Sequence, residues 1–291
     1  MNLYGFTFVR NAITYDYPVV ASIRSILPLC KEVIVAVGRS DDSTLELIQS
    51  IDPKKVRIIE TEWDDNLRQG GQVLAEETNK ALAAIPDDTD WAFYIQADEV
   101  IHENDHPAIL AKLAEVNDDP SVEGLLFDYM HFYGSYHYYG ASARWYQQET
   151  RIIRPHIGIY SYRDAQGFRK GENEKMQVAR VNARVFHYGW VKSPPVMHHK
   201  TKDFNKLWHS DQWVKDRFEE QAAYDYKSNI CSLKKFTDSH PRTMHERIAA
   251  MDWEFDYDIR MNKLRLKDQV KNWLNKHLNI NLNYSNYKVI S

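Results

Sequence analysis

Cysteine is scarce in this chain: two residues in 291, Cys30 and Cys231, far apart in the sequence. That argues against both a thiolate zinc cluster and a disulfide framework, and a reducing, cytoplasmic setting is expected. No run of about 18 apolar residues occurs, so no membrane span is expected. The first residues lack the basic lead, apolar core and small-residue cleavage site of a secretory signal. Positive charge is not in excess either. Lys and Arg number 37 against 41 Asp and Glu, a formal net charge of -4, which argues against nucleic acid as a partner held by a broad basic footprint. Internal repeats, low-complexity tracts and Gly/Ser linkers are absent. With 43% hydrophobic residues, the chain can bury one large core, or one core plus an appended region.

The first hundred residues repeat one pattern: a short apolar run, a turn, then apolar residues at helical spacing. Parallel strands joined by crossover helices need that alternation. Strands are expected over 3–9, 33–37, 56–60 and 91–95. Helices are expected from Val19 to the stop at Pro28, from the polar Ser40-Asp41-Asp42-Ser43 cap through Ile48, and over about 71–84 before Pro86. The fold class expected is α/β, a doubly wound layer. Ligands of such sheets gather beyond the carboxyl ends of the strands. That places Arg10 and Asn11, residues 38–42, residues 62–65, and Gln96, Ala97, Asp98 and Glu99 along one rim.

After about residue 120 the pattern changes. Strands over 124–129, 151–154 and 181–188 are separated by aromatic-rich connections, as in a mixed sheet. From about Lys200 the chain reads as helical and charged. Leu264 through Leu278 forms a basic amphipathic stretch suited to peripheral contact with an anionic membrane at its inner face, although packing on its own domain is the commoner use of such a helix. Three parts are expected: 1–120, 121–199 and a helical C-terminal extension, 200–291.

The sharpest chemical signal is Trp91-Ala92-Phe93-Tyr94-Ile95-Gln96-Ala97-Asp98-Glu99. An apolar strand delivers two carboxylates at its end, where hard oxygen ligands can hold Mn2+ or Mg2+ against a diphosphate. An N-cap followed by a surface acid would look the same. Three other features favour the ligand reading. Ser40 and Asp42 sit in a strand-turn-helix junction able to seat a nucleotide. Arg68-Gln69-Gly70-Gly71 offers a cation and pliable backbone to phosphates. His187, at the end of a later apolar run, can supply a third ligand beside Asp98 and Glu99. The aromatic belt from His131 to Gly140 reads as an acceptor wall or a closing lid, or as an ordered crossover packed on the sheet.

Phe8-Val9-Arg10-Asn11, Val37-Gly38-Arg39-Ser40-Asp41-Asp42-Ser43-Thr44, Asn79-Lys80-Ala81-Leu82 and Gln96-Ala97-Asp98-Glu99, in that order and spacing, resemble the N-terminal half of inverting family-2 glycosyltransferases of GT-A fold. Further on, Trp145, Arg151-Ile152-Ile153-Arg154 and His187-Tyr188 are more loosely similar to the acceptor half of bacterial members that build surface glycans. The resemblance implies a GT-A, Rossmann-like, mainly parallel mixed sheet. It implies transfer of a sugar from a nucleotide-diphosphate donor to a hydroxyl of a glycan or lipid-linked glycan. It also implies that Asp98 closes an Asp-x-Asp metal motif, that Asp42 belongs to the nucleotide pocket and that His187 reaches the metal. Gln96 stands where the motif's first aspartate is usual, and Val37-Gly38 where a base-reading aspartate is common.

By the same resemblance the nucleotide sugar is expected to meet Arg10, Asn11, Ser40, Asp42, Arg68, Gln96 and Ala97. The general base is expected at Asp164, with Glu149 and Glu172 as alternatives. Two other functions remain open: a non-catalytic nucleotide-sugar or carbohydrate-binding protein of the same fold, and a nucleotidyltransferase. The latter would ordinarily carry a basic, Gly-rich loop where Arg10-Asn11-Ala12-Ile13 stand.

Overall fold

The structure, a computed structural model, describes residues 1–262 save 65, 68, 69, 143, 219, 220 and 231, together with 269, 271 and 285–290. The first strand, β1 (Leu3–Val9), leads through helix α1 (Val19–Ile26) to β2 (Val33–Gly38), and α2 (Thr44–Gln49) leads on to β3 (Val56–Thr61). Helix α3 (Gln72–Ala83) returns the chain to β4 (Trp91–Tyr94). β2 and β4 are buried along their whole length, which is why they read as unbroken apolar runs. Strand alternation divides their side chains between two cores. Val33, Val35 and Val37 face α1 and α2, whereas Ile34, Ala36 and Tyr94 face α3.

The second half supplies β5 (Glu99–Ile101), α4 (His106–Val116), β6 (Gly124–Tyr133), β7 (Ser135–Gly140) and β8 (Gln148–Ile153). The hairpin β9 (Ile159–Tyr162) and β10 (Gly167–Lys170) stands apart as a sheet of its own, and the long β11 (Met176–Trp190) follows. Helices α5 (Pro194–Asn205) and α6 (Asp211–Phe218) come next, then β12 (Leu233–Lys235), α7 (His245–Ala249) and β13 (Tyr287–Val289).

Among the described residues the main sheet has eleven strands, with the order β12-β7-β6-β8-β4-β1-β2-β3 along its path. β3, β2, β1 and β4 are mutually parallel; β8 joins β4 antiparallel and opens the mixed half. The doubly wound, mixed sheet flanked by helices that the sequence leads one to expect is therefore present. β11 begins at Met176, earlier than expected, and it pairs with β6, β5 and β13. Partners of that number keep even its polar-interrupted first half extended. The aromatic belt is an ordered hairpin rather than a lid: β6 turns at Gly134 (φ 74°) into β7, and Phe132, Tyr133, Tyr136 and Tyr138 are buried. After Lys200, β12 and β13 return to the sheet, and most of the basic stretch Leu264 through Leu278 lies outside the described residues. No helix among the described residues is long and apolar enough to cross a membrane.

This topology fixes where a ligand can sit. The chain runs outward through β1, β2 and β3, then crosses back to place β4 on the other side of β1. The connections leaving β1 and β4 diverge, and a crevice opens beyond the carboxyl ends of these two strands.

Candidate active site

A cleft of about 620 Å³ occupies that crevice, floored by Arg10 and Asn11 after β1 and by Gln96, Ala97 and Asp98 after β4, and roofed by α5. Asp98 ends a tight turn closed by the Glu99 N–H on the Gln96 carbonyl (3.0 Å). β5 then pairs antiparallel with β11, putting Glu99 opposite His187, and the Tyr188 N–H donates to the Asp98 carbonyl at 2.8 Å. Two residues distant in sequence thus meet: Asp98 Oδ1 lies 3.7 Å from His187 Nε2. Gly189 allows this approach, because a Cβ there would sit 2.7 Å from Asp98 Oδ2 and 2.8 Å from His187 Nε2.

The electrostatics converge on Asp98. Burial by itself would raise its pKa, but Lys200, His187 and Lys192 outweigh burial and hold the carboxyl well below its usual range. Lys200, on α5, reaches Asp98 Oδ2 at 3.2 Å and the Gly189 carbonyl at 3.0 Å. Lys192 is fully buried; its ammonium donates to the Asp16 carbonyl (2.7 Å) and lies over the Tyr17 ring. Burial, reinforced by Lys200, pushes its pKa well down. His187 is lowered by burial, against the pull of Asp98. Its Nδ1 meets Nδ1 of the buried His131 at 3.0 Å, and His131 Nε2 contacts the Tyr146 carbonyl at 2.8 Å.

Glu99 departs from expectation. Asp98 is the last residue of the turn and Glu99 the first of β5; Asp98 lines the cleft, whereas Glu99 is fully buried in the core. Its oxygens accept from Arg151 Nε and Nη2 (both 2.8 Å), from the Tyr129 hydroxyl (2.7 Å) and from the Gln96 N–H (3.1 Å). The Arg151 guanidinium lies over both the Tyr94 and Tyr129 rings. Both carboxylate oxygens are thus committed to a buried ion pair beneath the cleft, and Glu99 is not brought to the cleft as a ligand.

The nucleotide-side expectations divide. Asn11, in the left-handed region (φ 53°), accepts the Asp41 N–H on Oδ1 at 2.8 Å, and its own N–H donates to Ser40 Oγ at 3.0 Å. Asp42 accepts from the N–H groups of Thr14 (2.7 Å) and Thr44 (3.1 Å) and from the Thr44 hydroxyl. Those bonds, acting against burial, lower its pKa. Ser40 and Asp42 therefore brace the β1–α1 loop against the β2–α2 turn, and the acid of this turn that faces the cleft is Asp41. Gly38 lies under Trp63, whose Nε1 would be 2.3 Å from a Cβ at that position. The indole thus covers the place where the resemblance leads one to expect a base-reading aspartate. Arg10 lies over the same indole. Gln96 faces the cleft while its amide donates to the Ala165 carbonyl (3.2 Å). Arg68 lies outside the described residues.

Asp164 lines the cleft from the β9–β10 turn, set over the start of α3, where a Cβ on Gly71 would stand 2.9 Å from its own Cβ. Its neighbours Arg163 (φ 55°) and Ala165 (φ 60°) are both left-handed, a costly backbone for residues other than glycine. Glu149 is not brought to the cleft. It is buried behind Gln166, which donates to Oε1 at 2.9 Å, as does Asn286 at 3.1 Å. Burial raises its pKa to about 7. Glu172 is exposed in the turn after β10. The sequence marks Asp41 and Trp63 only as members of the rim segments 38–42 and 62–65 and His131 only as the start of the aromatic belt, and it does not mark Lys200. The three polar residues at 40–42 hinted at the first of these, and nothing local marks Lys200.

No known family profile matches the chain, and no curated protein matches it. Among solved structures, TarS of S. aureus is similar at 14% identity and a TM-score of 0.41, over 69% of this chain and 38% of TarS. A 1–349 form of TarS is similar at 13% and 0.40, over 76% of this chain and 67% of its own. Glucosyl-3-phosphoglycerate synthase from Mycobacterium tuberculosis, in complex with Mn2+, uridine diphosphate and phosphoglyceric acid, is similar at 19% and 0.29, over 45% of this chain and 43% of its own. The chain therefore spans less than half the length of TarS. At these identities and scores the likeness places the chain in no family and transfers no activity to it.

Proposed function

We propose that the protein is an inverting glycosyltransferase of GT-A kind that moves a sugar from a nucleoside-diphosphate donor to a hydroxyl of a glycan or lipid-linked acceptor. The observation that carries this reading is the meeting of Asp98 and His187 at the switch-point cleft, beside Lys200. In this reading residues 1–120 form the donor half, 121–199 the acceptor half, and 200–291 a C-terminal extension whose first residues, the end of α5, help to roof the cleft.

A carboxylate oxygen suits Mn2+ or Mg2+, ions that keep open positions for water and phosphate oxygens, and the imidazole nitrogen beside it favours the softer Mn2+. Among the described residues no three His, Cys, Asp or Glu side chains converge, so the donor's own phosphates are needed to complete the set. When bound, the divalent ion supplies Lewis-acid neutralisation of the departing diphosphate. The chain's residues do the rest. Asp41, Asn11 and Arg10 hold the nucleotide, Gln96 and Ala97 line the floor beneath the sugar, and Lys200 moves from Asp98 to a phosphate oxygen. Asp164 takes the proton of the acceptor hydroxyl as that oxygen bonds to the anomeric carbon and the bond from that carbon to the diphosphate oxygen breaks. The strained turn around Asp164 supports this role.

Calorimetry with a panel of nucleotide sugars, with Mn2+ and with EDTA, tests the reading. Binding and transfer are expected to be lost on chelation and restored by Mn2+; activity indifferent to EDTA would remove the ion and the ligand role of Asp98. Asp164→Asn is expected to lower kcat by about 10²–10⁴-fold with donor affinity kept. Transfer left intact with both substrates saturating would rule that base out. The Lys200 ammonium, already neutralising Asp98, favours a second reading in which the cleft binds a nucleotide sugar without metal or turnover. Metal-indifferent binding, with no transfer to a broad acceptor panel, is the result that reading requires.

A further inference from the structure

The His131–His187 contact sits behind the proposed ligand, and a backbone carbonyl on its far side constrains its chemistry. A backbone carbonyl can only accept a hydrogen bond, so His131 Nε2, 2.8 Å from the Tyr146 oxygen, carries a proton. The other nitrogen of a neutral His131 is then a bare lone pair, and it faces His187 Nδ1 at 3.0 Å. One proton must lie between the two nitrogens, and for a neutral His131 it belongs to His187. The surroundings favour the neutral ring. His131 is 2% exposed, stacked on Trp145 and Tyr129 and flanked edge-on by Tyr146.

A neutral His187 with its proton on Nδ1 has a bare Nε2. That nitrogen points toward Asp98 Oδ1 at 3.7 Å, beyond the reach of an N–H···O hydrogen bond, as expected for two lone-pair atoms with no proton between them. We propose that His131 is a positioning residue: it accepts the His187 Nδ1 proton and so fixes His187 in the tautomer that turns a free nitrogen lone pair into the cleft beside Asp98, ready for a divalent ion. The inference rests on the ligand role given to His187 above. It adds the residue that makes that role available before any ion or donor arrives, since the alternative tautomer would present an N–H that no cation can bind.

The test begins without metal. In protein with 15N-labelled histidine, long-range 15N–1H correlation spectra are expected to show His187 protonated at Nδ1 and bare at Nε2. A protonated Nε2 in the wild type overturns the proposal. His131→Phe keeps a planar ring but offers no acceptor, and is expected to give a mixture of His187 tautomers. His131→Asn, whose amide oxygen can take the place of Nδ1, is expected to restore the Nδ1–H form. Mn2+ affinity, read by electron paramagnetic resonance in the presence of a saturating nucleoside diphosphate, is expected to fall about 10–100-fold in His131→Phe and to recover in His131→Asn. Circular dichroism melts confirm that each variant is folded. Unchanged tautomer and unchanged Mn2+ affinity in His131→Phe also overturn the proposal. Failure of the metal reading looks different: wild-type protein with the expected tautomer but no Mn2+ binding, with or without a nucleoside diphosphate, removes the ion while the spectra still decide what His131 does to the ring.

Discussion

Asp98→Asn is expected to lower kcat/KM for sugar transfer by roughly 10²–10³-fold, the scale on which loss of one preorganised charge-stabilising group acts. The variant keeps the shape of the side chain and removes its charge, so the effect isolates electrostatics from packing. Donor binding in the presence of Mn2+ is expected to fall with it. The change also removes the counter-charge of Lys200 and of the buried Lys192, so stability drops. The carboxyl is held below its ordinary value in the folded chain, and it therefore contributes stability above the unfolded value of about 4 and loses that contribution as pH falls. The gap in denaturation midpoint between wild type and Asp98→Asn is expected to be widest above about pH 4 and to narrow in more acidic solution. Equal transfer rates in the two proteins would remove Asp98 from the reaction; a stability gap that widened on acidification would contradict the ion pairing described for it.

The location of this site was legible in the sequence because its determinants are local. β1, β2 and β4 are short runs apolar on both faces, and only strands covered on both sides of a parallel sheet need that pattern. Once they are strands, their carboxyl ends mark the cleft. Side-chain direction was less legible. Ser40, Asp41 and Asp42 are three consecutive polar residues in a turn, and which one faces the cleft depends on the left-handed Asn11 and on Thr44 across the loop junction. Contacts made over long sequence separations were not legible at all. Lys200 reaches Asp98 from a helix whose charge pattern looks like any solvated face, and His131 sits in an aromatic run that is equally consistent with a loop. The burial of Glu99 has a legible sign in the sequence. Arg151 stands in a strand-like run with Ile152 and Ile153, and an arginine buried in a sheet requires a carboxylate partner. One buried arginine takes one of the two acids: Glu99 pairs with it, and Asp98 is left to the cleft.

That division of roles leads to the largest effect expected on stability. Removing one partner of a buried ion pair leaves the other charge uncompensated in a medium that solvates it poorly, at a cost of about 3–5 kcal/mol. Glu99→Gln and Arg151→Met are each expected to destabilise the fold on that scale, read from urea midpoints at unchanged slope. Arg151 also donates to the Thr150 and Gln166 carbonyls, both at 3.0 Å, so its loss is expected to be the more costly of the two. The double variant Glu99→Leu with Arg151→Met replaces both charges by apolar groups and is expected to recover part of the loss, because an apolar pair leaves no buried charge behind. Mn2+ affinity separates this structural role from the one first expected of Glu99. If the carboxylate serves only the core, the double variant, once folded, retains Mn2+ binding through Asp98 and His187. A Glu99→Gln protein of wild-type stability whose Mn2+ affinity had collapsed would instead return Glu99 to the cleft and break the assignment of Arg151 as its partner.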